Sequence, residues 1–216
     1  MESDRFATPK EGLLCTPCRV VPPAFQRAVA YGVYEDELRE MIHLLKYEGV
    51  RSLAKPLGTR LAEAILMLER EALWTGDVTV IGVPLFLANE HQRGFNQSIL
   101  LADSALSALR RLRPNWRMQP RHSLLQRVKS TESQFNLSTK GRRRNLIGAF
   151  KVADDGPSLI GRDVLLIDDI YTTGATSRAC AQALKRAGAR HVWVATLARA
   201  QREHVAFWNN TGDEFG

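Results

Sequence analysis

Val164-Leu165-Leu166-Ile167-Asp168-Asp169-Ile170-Tyr171-Thr172-Thr173-Gly174-Ala175-Thr176-Ser177 is the stretch that decides the fold. Its four leading apolar residues read as a strand buried on both faces. That strand ends in two adjacent carboxylates. A turn of hydroxyl and small residues then opens a helix over 175–187, with Cys180, Ala183, Leu184 and Ala187 inward and Gly188 as its stop. In open α/β sheets, ligands sit beyond the carboxyl ends of such strands. The backbone N–H groups of residues 173–177 point out of the helix start, where the helix dipole also favours an anion. Threonine hydroxyls at 172, 173 and 176 add donors, and Gly174 lets the backbone approach a phosphate closely. Thr172, Thr173, Gly174, Ala175 and Thr176 are therefore read as a phosphate cradle. Asp168 and Asp169 suit sugar hydroxyls, so the whole loop fits a ribose 5-phosphate. The spacing is not that of a Walker loop, and no Gly-x-Gly-x-x-Gly follows any strand.

Working outward, residues 28–34 alternate as a short strand, and Leu38, Met41, Ile42 and Leu45 make one face of a helix. A second helix is expected over 53–73. Residues 78–83 form another β-branched buried strand. A polar loop leads from it to a helix over 97–111. Short strands near 121–125 and 148–153 flank a basic stretch, and 191–197 is the last clear strand. Strands separated by helices predict βαβ units and a mostly parallel sheet flanked by helices. The chain divides into an extended lead-in (1–27) and one α/β domain (28–216), with a hood over 28–75 and a core over 76–200.

Hydrophobic content of 44% and charged content of 25% over 216 residues are ordinary for a globular chain. No apolar run is long enough to cross a membrane, so no membrane partner is expected. Met1-Glu2-Ser3-Asp4-Arg5 lacks an apolar signal core, which predicts a cytoplasmic location. Between residues 110 and 144 there are eleven Lys or Arg against one acid, Glu132, a local charge of +10. Such an excess suits a polyanion, either the phosphates of a small ligand or nucleic acid, and equally a solubilising surface. Of the three cysteines, Cys15 and Cys18 form a single Cys-x-x-Cys, half of a four-ligand zinc ribbon, and Cys180 stands alone. Reduced thiols and weak zinc binding at most are the expectation. The five histidines are scattered, and no nucleophile–base pattern appears.

The loop at 164–177 resembles the phosphoribosyl-diphosphate (PRPP) signature of type I phosphoribosyltransferases. Arg93-Gly94-Phe95-Asn96-Gln97-Ser98, Lys46-Tyr47, Gln134, Arg142-Arg143-Arg144-Asn145 before Gly148-Ala149-Phe150, and Leu197-Ala198-Arg199 are similar to the ComF family, over roughly residues 28–200. Cys15-x-x-Cys18 resembles the last pair of the cysteine-rich ribbon that precedes that family's core. The resemblance implies a type I phosphoribosyltransferase-like fold and a place in competence for DNA uptake. It implies that Asp168 and Asp169 take the ribose 2′ and 3′ hydroxyls, and residues 172–176 the 5′-phosphate. Magnesium would bridge ribose diol and pyrophosphate, and Arg93, Arg142, Arg143 and Lys46 are candidates for the pyrophosphate. Residues 127–147 would correspond to the loop that closes over the site. Relatives acting on 6-oxopurines carry an aspartate where this chain has Thr172, so hypoxanthine or guanine salvage is not expected.

Three functions fit these residues. One is Mg-dependent transfer or hydrolysis of the phosphoribosyl group of PRPP. Another is a non-catalytic component of DNA uptake that keeps the ribose-phosphate pocket and holds single-stranded DNA beside a competence helicase. The third is a sensor of PRPP or a nucleotide. Stacking aromatics within 110–150 are limited to Trp116, Phe135 and Phe150. A homodimer enters as the arrangement in which two Cys-x-x-Cys pairs could share one zinc.

Overall fold

The computed structural model describes residues 16–129 and 146–200. The deciding strand, β6 (Asp163–Tyr171), lies at the centre of a five-stranded sheet. Its neighbours are β7 (His191–Arg199) and β2 (Asp77–Gly82), with β1 (Arg27–Val33) beyond β7 and β3 (Arg117–Pro120) beyond β2. All four pairings are parallel, as the alternation of strands and helices predicts.

A strand buried on both faces needs an apolar layer on each side. Leu165 and Ile167 turn into one core, shared with α2 (Asp36–Tyr47), α3 (Ala54–Leu66) and α6 (Gln97–Leu112). Val164 and Leu166 turn into the other, shared with Cys180, Ala181 and Leu184 of α7 (Ala175–Arg186). Beside α7 sits a small antiparallel pair, β4 (Leu125–Arg127) and β5 (Phe150–Val152). The result is a three-layer α/β domain with one end of the sheet under the α2 hood.

Several elements differ from the sequence expectation. The helix expected over 53–73 ends at Leu66, and a separate turn, α4 (Glu69–Ala72), closes on Leu73 in a left-handed conformation. The lead-in carries a short helix, α1 (Thr16–Val20). The polar loop after β2 contains α5 (Leu87–Arg93), none of whose residues is buried. The strand expected at 121–125 is instead a 3₁₀ turn at His122–Leu124 followed by β4, and the fifth strand of the sheet lies just upstream, at β3.

Where β3 leaves the sheet, a side chain replaces it. The Gly82 N–H donates to His122 Nδ1 at 3.0 Å, which fixes the proton on Nε2, 3.2 Å from Asp103 Oδ1. Gly82 has a second role. A Cβ built there would meet Ile99 N and Ser98 C at 2.8 Å, so only glycine lets the start of α6 close against the end of β2.

Candidate ribose-phosphate site

The start of α6 is what reaches the two carboxylates. Asn96 caps the helix, its Oδ1 accepting from Ser98 N at 2.9 Å and Ile99 N at 3.4 Å, while its Nδ2 donates to Val83 O at 3.1 Å. This pins the first turn of α6 over the carboxyl ends of β2 and β6. From it, the Ser98 hydroxyl donates to Asp168 Oδ1 at 3.1 Å, and Gln97 Nε2 donates to Asp169 Oδ2, also at 3.1 Å. Asn96, Gln97 and Ser98 are all buried. The aspartates also bend back onto the backbone: Asp168 Oδ1 accepts the Asp169 N–H at 3.0 Å, and Asp169 Oδ1 the Ile170 N–H at 2.8 Å.

Two cations join them. Lys46, at the end of α2, places Nζ 3.1 Å from Asp169 Oδ2, with both side chains largely withdrawn from solvent. Arg93, at the end of α5, donates to Gln97 Oε1 at 3.2 Å and lies 5.3 Å from the centre of the Tyr47 ring. Lys46, Arg93 and the aspartate pair, read separately from the sequence, are thus drawn into one hydrogen-bonded unit.

Asp169 is buried and Asp168 half-buried, and the two adjacent carboxylates do not share one environment. Burial, and then the charge of Asp169 next door, push Asp168 up to about 7. Burial alone would raise Asp169 as well, but the Lys46 ammonium and the bonds from Lys46 and Gln97 hold it below the usual carboxylate range. Burial works against the charge of Lys46, and Asp169 overcomes it, so the ammonium stays above its ordinary value. Near neutral pH the cluster therefore carries a firm Lys46–Asp169 pair beside a carboxyl that holds its proton far more tightly than an ordinary aspartate.

The turn between β6 and α7 follows from Gly174. It is the N-cap of α7, with φ of 70°, and a Cβ there would sit 2.2 Å from the Tyr171 hydroxyl oxygen. The first-turn N–H groups of α7 have no partner within the helix; the Thr173 hydroxyl takes one of them, Ala175 N–H, at 3.4 Å. Thr172 is exposed, Thr173 and Thr176 are half-buried, and Gly174 and Ala175 are buried. An anion at this helix start would lie against the same loop as Asp168.

Other sequence candidates fall elsewhere. Arg142 and Arg143, with Arg144, Gln134, Phe135 and Cys15, lie outside the described residues. Cys18 accepts a hydrogen bond at Sγ from Arg178 at 3.1 Å. Among the described residues no cluster of three metal-ligating side chains forms. Phe150 is buried in the second core and cannot stack on a ligand, whereas Trp116 is half-buried and packs edge-on against Trp74 at 5.0 Å. Two clefts of about 280 and 320 Å³ open near the amino ends of β2, β3 and β6, away from the aspartates. Sequence reasoning assigns no site role to Gln97 or Ser98. The one available signal is their place directly after the Arg93-Gly94-Phe95-Asn96 turn.

The donor set suits a magnesium ion held mainly through phosphate oxygens. It offers an open carboxylate oxygen beside an anion cradle, not an all-protein cage. No helix among the described residues is long and apolar enough to cross a membrane.

Residues 117–211 match the family model described as "Phosphoribosyl transferase domain". The chain is 33% identical over 187 residues to the "DNA utilization protein YhgH" of Salmonella typhi, covering 87% of this chain and 78% of that protein. It is 30% identical to the "Competence protein F" of Haemophilus influenzae, covering 86% and 78%. The "Competence protein ComFC" of Bacillus subtilis is 27% identical over 155 residues, or 72% of this chain and 56% of that one.

Proposed function

Because this chain belongs to the ComF family and its core is a type I phosphoribosyltransferase-like α/β domain, we propose that it binds PRPP or ribose 5-phosphate with magnesium and transfers or hydrolyses the phosphoribosyl group. One observation carries this reading: a buried strand delivers Asp168 beside the Gly174-capped start of α7, while Lys46 and Arg93 converge on the other side. On this reading, phosphate cradle, diol acceptor and pyrophosphate cations would follow the order of 5′-phosphate, ribose and pyrophosphate in PRPP. Magnesium, when bound, would neutralise charge on the leaving pyrophosphate, with the Asp168 carboxylate available to it. The chain's own part is to accept the ribose hydroxyls at Asp168, hold the 5′-phosphate on residues 172–176, and offer Lys46 and Arg93 to the leaving anion. The relatives' names set this chemistry in competence and DNA utilisation.

A second reading is favoured by the +10 segment between residues 110 and 144 together with those names. In it the domain holds single-stranded DNA without turnover. Calorimetry with PRPP and magnesium tests the first reading. Asp168→Asn with Asp169→Asn should weaken binding by about 2–3 kcal/mol, the scale of charge-assisted hydrogen bonds removed together. Equal affinity in wild type and double variant would sink it.

A further inference from the structure

The four oxygens of Asp168 and Asp169 are not equally available. Asp168 Oδ1 accepts from Ser98 Oγ and from the Asp169 N–H. Asp169 Oδ2 accepts from both Gln97 Nε2 and Lys46 Nζ, which fills its two lone-pair positions. Asp169 Oδ1 turns onto its own backbone, at Ile170 N–H, and the residue is only 5% exposed. Asp168 is half-buried. Its Oδ2 is the one oxygen of the four that has no protein partner among the described residues.

We propose that the acidic pair divides its work: Asp168 alone receives the ribose hydroxyls, while Asp169 is a positioning residue that never meets the sugar and holds Lys46 and the Gln97–Arg93 pair over the pyrophosphate position. This rests on the phosphoribosyl reading and narrows it. The geometry gives Asp169 one consistent task. Its carboxylate is the counter-charge that keeps a cation from the hood (Lys46) and, through the Gln97 amide, a cation from α5 (Arg93) on one shelf. The Gln97 amide is oriented by this chain of bonds, donating to Asp169 and accepting from Arg93. A sugar hydroxyl approaching Asp169 would have to displace Lys46 from a largely buried ion pair, whereas at Asp168 Oδ2 it displaces no protein group.

Ribose 5-phosphate carries the diol and the phosphate but no pyrophosphate, so it separates the two roles. Dissociation constants for ribose 5-phosphate and for PRPP, each with magnesium, are measured by calorimetry on the full chain. Asp168→Asn should weaken both ligands by about tenfold or more. Asp169→Asn should leave ribose 5-phosphate within about threefold of wild type and weaken PRPP by about tenfold or more. A variant that strands one buried charge risks unfolding, so the pair is also removed together as Lys46→Met with Asp169→Asn. That variant should again leave ribose 5-phosphate within about threefold of wild type and weaken PRPP at least as much as Asp169→Asn does, because it also removes one of the two pyrophosphate cations. If Asp169→Asn and the paired variant weaken ribose 5-phosphate as much as Asp168→Asn does, both carboxylates take the diol and the division is wrong. If wild type binds neither sugar phosphate, the phosphoribosyl reading itself fails, and this inference with it.

Discussion

Asp168→Asn should make the ligand-free protein more stable, and only above acidic pH. In the folded chain the Asp168 carboxyl titrates at about 7 against an ordinary 3.8. A raised pKa means that the folded state holds the proton more tightly than the unfolded chain does. The stability this contributes is fully present below 3.8 and is lost as the pH rises through about 7. At full linkage the gap corresponds to about 4 kcal/mol. Because Asp168 is half-buried, solvent screening reduces the expected gain to about 2 kcal/mol. Asparagine keeps the local bonds, since its carboxamide oxygen can still accept from Ser98 Oγ and the Asp169 N–H. What it removes is the buried like charge. For a chain of this size the gain is a rise in Tm of about 4–8 °C at pH 8, shrinking to about a quarter of that at pH 4.5. Calorimetric melts of both proteins at the two pH values measure it. A variant that melts no higher than wild type at pH 8, or that gains equally at both pH values, would refute the account of how these carboxylates are charged.

Gly174→Ala should cost about 1–3 kcal/mol, from a left-handed residue that acquires a Cβ, and should weaken ribose 5-phosphate binding because the new methyl meets the Tyr171 hydroxyl; thermal melts and calorimetry read the two effects separately. Replacing Arg142, Arg143 and Arg144 by Ala should flatten the salt dependence of single-stranded DNA binding by about 0.7 in log–log slope for each phosphate no longer neutralised, read by fluorescence anisotropy at several salt concentrations. An unchanged slope would remove these arginines from any DNA surface. Metal analysis of the purified chain should find far less than one zinc per chain, because Cys15 and Cys18 supply two ligands; near-stoichiometric zinc would point to a dimer sharing two pairs.

The central strands are legible as continuous apolar runs, as in Val164 to Ile167, and the large helices as periodic apolar faces, as in Leu101, Ala105 and Leu109 of α6. The misses lie where burial is thin. In α5 no residue is buried, and in β3 only Met118 is, so neither leaves a pattern that periodicity can detect. The site divides in the same way. Asp168, Asp169 and Gly174 announce themselves because their chemistry is local to one loop. The hydrogen-bond donors that orient them do not, since Gln97 lies 72 residues from Asp169 and Ser98 lies 70 from Asp168. Only the closure of α6 over Gly82 brings them together, and that is a tertiary event with no local signature.

The strand order β1-β7-β6-β2-β3 also constrains how the protein comes to exist. β1 is the first strand made, and its sole strand neighbour, β7, is the last. β2 and β3 can pair early, but the strand that joins them to β7 begins only at Asp163. During synthesis the hood and its Lys46 therefore emerge long before β6 and β7, and although α3 can pack against α6 once that helix is made, its contact with β7 waits for the final third of the chain. Sheets dominated by such non-local pairings fold slowly and expose sticky surface meanwhile. The aspartate pair, lying on β6 and pinned by residues from the first half, is among the last parts of the molecule to form, so a ribosome-bound fragment ending before β6 lacks both the aspartates and the cradle of the proposed site.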